Sequence, residues 1–87
     1  MDTNEQTRIA LIGIIVEQKD AIDDLNTILH DYSECIVGRM GIPYSPKKIS
    51  IISVILDATA DKISSLSGKL GMLKGISVKT IYAKKEV

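Results

Sequence analysis

The chain has 87 residues, 45% hydrophobic and 25% charged, with 11 basic and 11 acidic side chains that cancel to zero net charge. That length fits one small domain over 1–87, and the charge balance removes any long-range field drawing it to nucleic acid or an anionic membrane. The single Cys35 excludes an internal disulfide and fits a reducing, cytoplasmic setting, while the longest apolar run, Ile9 to Val16, is too short to span a bilayer.

Met1 to Thr7 is polar, without the basic and apolar regions of a secretion signal, and reads as a short flexible tail. Ile9 to Glu17 reads as a first strand, aliphatic on both alternating faces. Asp20 to Tyr32 reads as a helix, because Ile22, Leu25, Ile28, Leu29 and Tyr32 share one face at three- and four-residue spacing. Its first turns carry Asp20, Asp23 and Asp24, where the positive end of the helix dipole favours acids. Cys35 to Ile42 reads as a weaker strand interrupted by Gly38 and Gly41, and Pro43-Tyr44-Ser45-Pro46 as a turn. Lys48 to Asp57 reads as the third strand. Thr59 is placed to cap a second helix whose buried stripe is Ile63, Leu66, Leu70 and Leu73. Gly71 and Gly75 end that helix and open the last strand, Ile76 to Ala83, before a tail at Lys84 to Val87.

The two halves repeat. Ile9–Glu17 and Ile49–Asp57 are near copies, and a shift of forty-one residues matches Ile22 with Ile63, Leu25 with Leu66, Leu29 with Leu70 and Val37 with Val78. Strand-helix-strand twice over predicts an α+β, ferredoxin-like βαββαβ sandwich with a four-stranded antiparallel sheet in the order 4-1-3-2. The aliphatic first and third strands take the centre, and the mixed strands with Arg39 and with Ser77, Lys79 and Thr80 take the edges. Right-handed crossovers put both helices on one face. Either face carries large aliphatics: Ala10, Ile12, Ile14, Val16, Ile52, Val54 and Leu56, or Ile9, Leu11, Ile15, Ile49, Ile51 and Ile55. Leaving a set in water forgoes roughly 1.5–3 kcal/mol per large residue, so the open face is expected to join copies of the chain as a homodimer or homotetramer.

Candidates for chemistry are sparse. His30 and Cys35, each single in the chain, lack the further ligands of a closed metal site, and no third group orients Cys35 as a nucleophile. A histidine at a helix C-terminus is explained by the dipole, and a lone cysteine by apolar burial. Asp20, Asp24, Thr27 and Asp31 lack the spacing of a calcium loop and read as a solvated face. Glu17 and Asp57 stand at equivalent strand ends, where acids favour the helices that follow. The more telling segments are Gly38-Arg39-Met40-Gly41-Ile42-Pro43-Tyr44 and Ser67-Gly68-Lys69-Leu70-Gly71-Met72-Leu73-Lys74-Gly75. Glycines permit close backbone approach as well as helix ends and bulges, so Arg39, Gly41, Tyr44, Lys69 and Gly71 are the candidate small-ligand residues, with Arg39 or Lys69 as anion partner. Gly68-Lys69 is not a phosphate loop, since it ends a helix rather than starting one. No basic stripe, stacking aromatics or helix-turn-helix supports DNA binding by the isolated chain.

Together with Ile9-Ala10-Leu11-Ile12-Gly13-Ile14 and Gly75-Ile76-Ser77-Val78-Lys79, those glycine segments resemble the small family of iron-only hydrogenase system regulators, from about Arg8 to Lys84. The resemblance implies a ferredoxin-like fold similar to amino-acid-binding ACT domains and to the ligand-binding domain of nickel-responsive repressors, which assemble through their sheets. It does not carry nickel sensing across, because one histidine and one cysteine do not match the repressors' cluster. Nor does the short segment before the first strand match their DNA-binding part. The expectation is a non-catalytic regulatory, ligand-sensing or interaction module without an assigned cofactor or metal. The alternatives are a transcriptional regulator that binds DNA only as an oligomer or with a partner, and a metal-linked accessory protein for hydrogenase maturation using Cys35 and His30.

Overall fold

The computed structural model describes residues 6–84, and the predicted tails fall largely outside the described residues. Six main elements follow in order: β1 (Thr7–Val16), α1 (Ile22–Asp31), β2 (Ile36–Tyr44), β3 (Ile49–Thr59), α2 (Ala60–Gly71) and β4 (Ile76–Tyr82). Short 3-10 turns at Lys19–Ala21, Ser33–Cys35 and Ser45–Lys47 join them. All four strands form one antiparallel sheet in the order β2-β3-β1-β4, the predicted 4-1-3-2 read from the other edge.

Alternation decides which face is dry. Even-numbered residues of β1 and β3 point under the helices, so Ala10, Ile12, Ile14, Val16, Ile52, Val54, Leu56 and Ala58 are buried. Leu25 and Leu29 of α1 meet them from above, as do Ile63, Leu66 and Leu70 of α2. Leu73 and Tyr32 pack against this core partly buried, as their spacing predicts. Thr59 ends β3 and caps α2 at once: its extended backbone breaks the helix and its Oγ1 accepts from the Lys62 N–H at 3.3 Å.

Several boundaries differ from those read in the sequence. Pro43 and Tyr44 belong to β2 rather than to a turn, with Pro43 opposite Ser50. An edge strand is paired on one side only, so proline's missing N–H is tolerated there. β3 starts at Ile49 because Lys48 is left-handed (φ 56°), and it runs on to Thr59. A bulge at Val37 lets Ile36 face Leu56 and Gly38 face Ile55, so the register shifts within β2. Gly75 is fixed by geometry. It has φ +76°, its carbonyl accepts from the N–H groups of Glu17 and Gln18, and an added Cβ would lie 2.6 Å from Gln18 Cβ.

Candidate functional site

The odd-numbered residues of β1 and β3 face away from both helices and form an open face. Across the sheet from β2 to β4, one row holds Gly38, Ile55, Leu11 and Ile81; the next holds Met40, Ser53, Gly13 and Lys79; the third holds Ile42, Ile51, Ile15 and Ser77. Tyr44 and Ile49 continue the face beyond the third row. Leu11, Ile15, Ile51 and Ile55 are each 39–41% exposed, and the edge residues Met40, Ile42 and Ile81 are 64%, 53% and 63% exposed. The middle row is low at its centre, where Gly13 and Ser53 separate two aliphatic ridges, and a depression of about 400 Å³ opens there beside Ser77 and Lys79. At one end the Ser77 hydroxyl donates to Glu17 Oε1 at 3.2 Å.

The ligand residues predicted from sequence fall in three places. Arg39 and Gly41 lie on the helix-facing side of β2, where Arg39 Nη2 donates to Asn26 Oδ1 of α1 at 2.7 Å. Asn26, Leu29, His30, Ser33, Ile36 and Arg39 line a groove of about 320 Å³ between α1 and the sheet edge. A smaller hollow of about 210 Å³ on the other side of Arg39 takes in Gly41 and Pro43. Tyr44 points to the open face instead, opposite Ile49. Lys69 stands over the Tyr32 ring at 5.2 Å from its centre, and Gly71 is the last residue of α2 with open space beside it. The cavities that Arg39 lines contain neither Lys69 nor Gly71.

His30 and Cys35 are also parted. His30 lines the Arg39 groove, whereas half-buried Cys35 lines a separate cleft of about 400 Å³ with Tyr32, Glu34, Asp61, Lys62 and Ser65. Among the described residues, no group of three His, Cys, Asp or Glu side chains is placed to hold a metal ion. Asp20, Asp24, Thr27 and Asp31 are exposed, the solvated face that their spacing predicts. Glu17 and Asp57 sit at opposite ends of the sheet, because Asp57 pairs with Ile9 in the antiparallel ladder. At ~3.3 Å per residue that is about 26 Å, so the two carboxylates do not share a site.

One cluster escaped the sequence reading, since it joins residues thirty-three apart. The Tyr32 hydroxyl and Ser65 Oγ are 2.7 Å apart, and Lys69 lies over the ring. The bond from Ser65, reinforced by Lys69, holds the Tyr32 pKa below the ordinary tyrosine value against a smaller opposing effect of burial. A depressed acid adds stability above its unfolded pKa and loses it as pH falls through the folded one, so this contribution belongs to alkaline solution alone. Tyrosinate absorbance, with Tyr32→Phe subtracted, is expected to show the Tyr32 titration moving up in pH in Ser65→Ala and in Lys69→Ala. Unchanged curves in both variants would contradict that assignment.

No helix among the described residues is long and apolar enough to cross a membrane. Comparison with solved structures finds the uncharacterized protein TM1266 from Thermotoga maritima at 36% identity and a TM-score of 0.87, covering 91% of this chain and 100% of that one. The C-terminal domain of the MgtC protein from Mycobacterium tuberculosis aligns over 99% of this chain and 98% of its own, at 14% identity and a TM-score of 0.66. A formyltetrahydrofolate deformylase from Pseudomonas putida aligns over 83% of this chain and 28% of its own, at 11% identity and a TM-score of 0.58. The last two share the fold alone. No curated protein matches the chain. The family model of the TM1266-like proteins, described as iron-only hydrogenase system regulators, matches residues 8–80. The chain belongs to this TM1266-like family, whose name assigns it to the regulation of iron-only hydrogenase systems.

Proposed function

We propose that the chain is a non-catalytic regulatory module of an iron-only hydrogenase system that works as a homo-oligomer joined through its open sheet face. The observation that carries this reading is the unpartnered aliphatic surface of β1 and β3, extended to both edges by Met40, Ile42 and Ile81. At on the order of 200 Å² per large side chain, the exposed fractions leave roughly 700 Å² of this face open, close to the ~800 Å² that each partner gives to a standard interface. Sedimentation at micromolar concentration is expected to show a particle larger than one chain; a monomer overturns the oligomer.

The Arg39 groove is the effector site of this reading. Its guanidinium keeps further donors beyond the bond to Asn26, with the His30 ring and the Ser33 hydroxyl lining the same groove. Such a set suits a carboxylate or phosphate. A thermal-shift screen of amino acids, nucleotides and other small anions is expected to yield a stabilising compound whose effect Arg39→Ala abolishes. A compound that stabilises wild type and Arg39→Ala alike moves the site elsewhere, and a screen in which nothing shifts leaves interaction alone as the module's role.

A further inference from the structure

The open face has a relief that selects one way for a second copy to lie on it. Its two ridges, Leu11–Ile55 and Ile15–Ile51, flank the low row of Gly13 and Ser53. Stacked sheets lie ~10 Å apart and fill that space by interdigitation, so ridges must enter furrows. Closed dimers are two-fold symmetric, and a two-fold axis along the strands would set ridge on ridge. An axis across the strands instead reverses the rows, and its level along β1 decides what meets what.

Three levels are available near the centre of the sheet. An axis level with Gly13 sets Gly13 on Gly13 and Lys79 on Lys79, leaving the furrow empty and placing like charges together. An axis level with Ile12 sets Lys79 against Ile81 and Asp57 against Ile51, which buries charges on aliphatics. An axis level with Ile14 sets Gly13 under Ile15, Ser53 under Ile51 and Gly38 under Tyr44, small against large on three strands. It also sets Glu17 opposite Leu11, but the Ser77 hydroxyl holds the Glu17 carboxylate toward β4, where this level brings Lys79 over Ser77.

We infer that two copies stack face to face about a two-fold axis running across the strands level with Ile14, so that Lys79 of each copy pairs with Glu17 of the other. The inference rests on the homo-oligomer proposed above and adds its geometry and its electrostatic determinant. Lys79 is exposed on the open face, with a side chain long enough to cross the gap between sheets. The pair occurs twice by symmetry, at the β4 edge, where the interface is polar; the β2 edge, with Met40, Ile42 and Tyr44, supplies the apolar side. Copies stacked with the wrong strand order bring Lys79 against Met40 and lose both pairs.

A charge-exchange experiment tests this register. In Lys79→Glu homodimers the introduced carboxylate would face Glu17 twice, and in Glu17→Lys homodimers the introduced ammonium would face Lys79 twice. Each variant alone is expected to raise the dimer dissociation constant at least tenfold in sedimentation equilibrium, with the far-UV spectrum unchanged. An equimolar mixture of the two is expected to form mixed dimers, identified by native mass spectrometry, with dissociation within about threefold of wild type. Mixing leaves each chain's internal contacts as they were, so recovery reports the contact between chains. If the single variants dimerise like wild type, or the mixture does no better than either, the register is wrong while the homo-oligomer stands. If wild type itself is a monomer, both the register and the proposed assembly fall.

Discussion

Replacing Ile15 with lysine is expected to leave a folded chain that sediments as a monomer, and Ile51→Lys to do the same. Both side chains form the ridge beside the Gly13–Ser53 furrow and are 41% exposed in the single chain, so lysine there reaches water and disturbs little of the core. In a face-to-face assembly the same ammonium would lie between two aliphatic sheets. Burying an unpaired charge costs several kcal/mol even after relaxation, and ~1.4 kcal/mol is tenfold in an equilibrium constant. Dissociation constants should therefore rise by about a thousandfold or more, which at micromolar chain leaves monomers. Lysine at Asp20, on the exposed side of the chain before α1, serves as the control and should leave sedimentation unchanged. Assembly that survives both ridge substitutions would place the contact elsewhere and remove the main support for the proposed function.

Leu66→Ala is expected to destabilise the fold by about 3–5 kcal/mol, the upper range for a leucine truncated at a fully enclosed site. Leu66 is 0% exposed on α2, between Ile63 and Leu70 and above the aliphatics of the two central strands. Alanine keeps the helix, since its propensity is higher than leucine's, so the loss lies in packing alone. Chains of this size lose roughly 4–8 °C of melting temperature per kcal/mol, which puts the expected drop above about 12 °C. Leu66→Met keeps the volume and should cost under ~1.5 kcal/mol. Chemical denaturation of the three proteins checks the order; equal stability of Leu66→Ala and wild type would show that α2 does not seal the sheet.

The scaffold was legible because each of its signals is local. Strand alternation, the helix stripes of Leu25 and Leu29 and of Ile63, Leu66 and Leu70, the Thr59 cap and the repeat through the first strand and helix of each half all follow from spacing, and they agree with one another. The match of Val37 with Val78 fails, because Val37 is the exposed bulge of β2 and Arg39 takes the place equivalent to Val78. Which face lies under the helices was not readable, since both alternating sets of β1 are aliphatic. That choice follows from how α1 and α2 cross over the sheet, and it falls to the even-numbered set. Pro43 misled because proline reads as a turn unless its strand is known to be an edge. The candidate site residues were the least legible. Arg39 and Lys69 are both cations flanked by glycines in the sequence, yet one lies between α1 and the β2 edge and the other above Tyr32. Only the tertiary fold could separate them, and only it could bring Tyr32 to Ser65.

Gly13 and Ser53, paired across the two central strands, are also each other's counterparts in the internal repeat. An approximate dyad therefore passes between them, normal to the sheet, and exchanges the chain's two halves. A stacked pair of chains would then hold four βαβ units related by nearly perpendicular dyads, one exact and the others approximate. The approximate dyad is broken mainly at the borders, where it superposes Met40 on Lys79 and Gly38 on Ser77. The difference between the halves thus gives one flank oily side chains and the other, Ile81 apart, hydrogen-bonding ones. In the proposed pair, that broken equivalence would let an otherwise ambidextrous surface tell one orientation of its neighbour from the other.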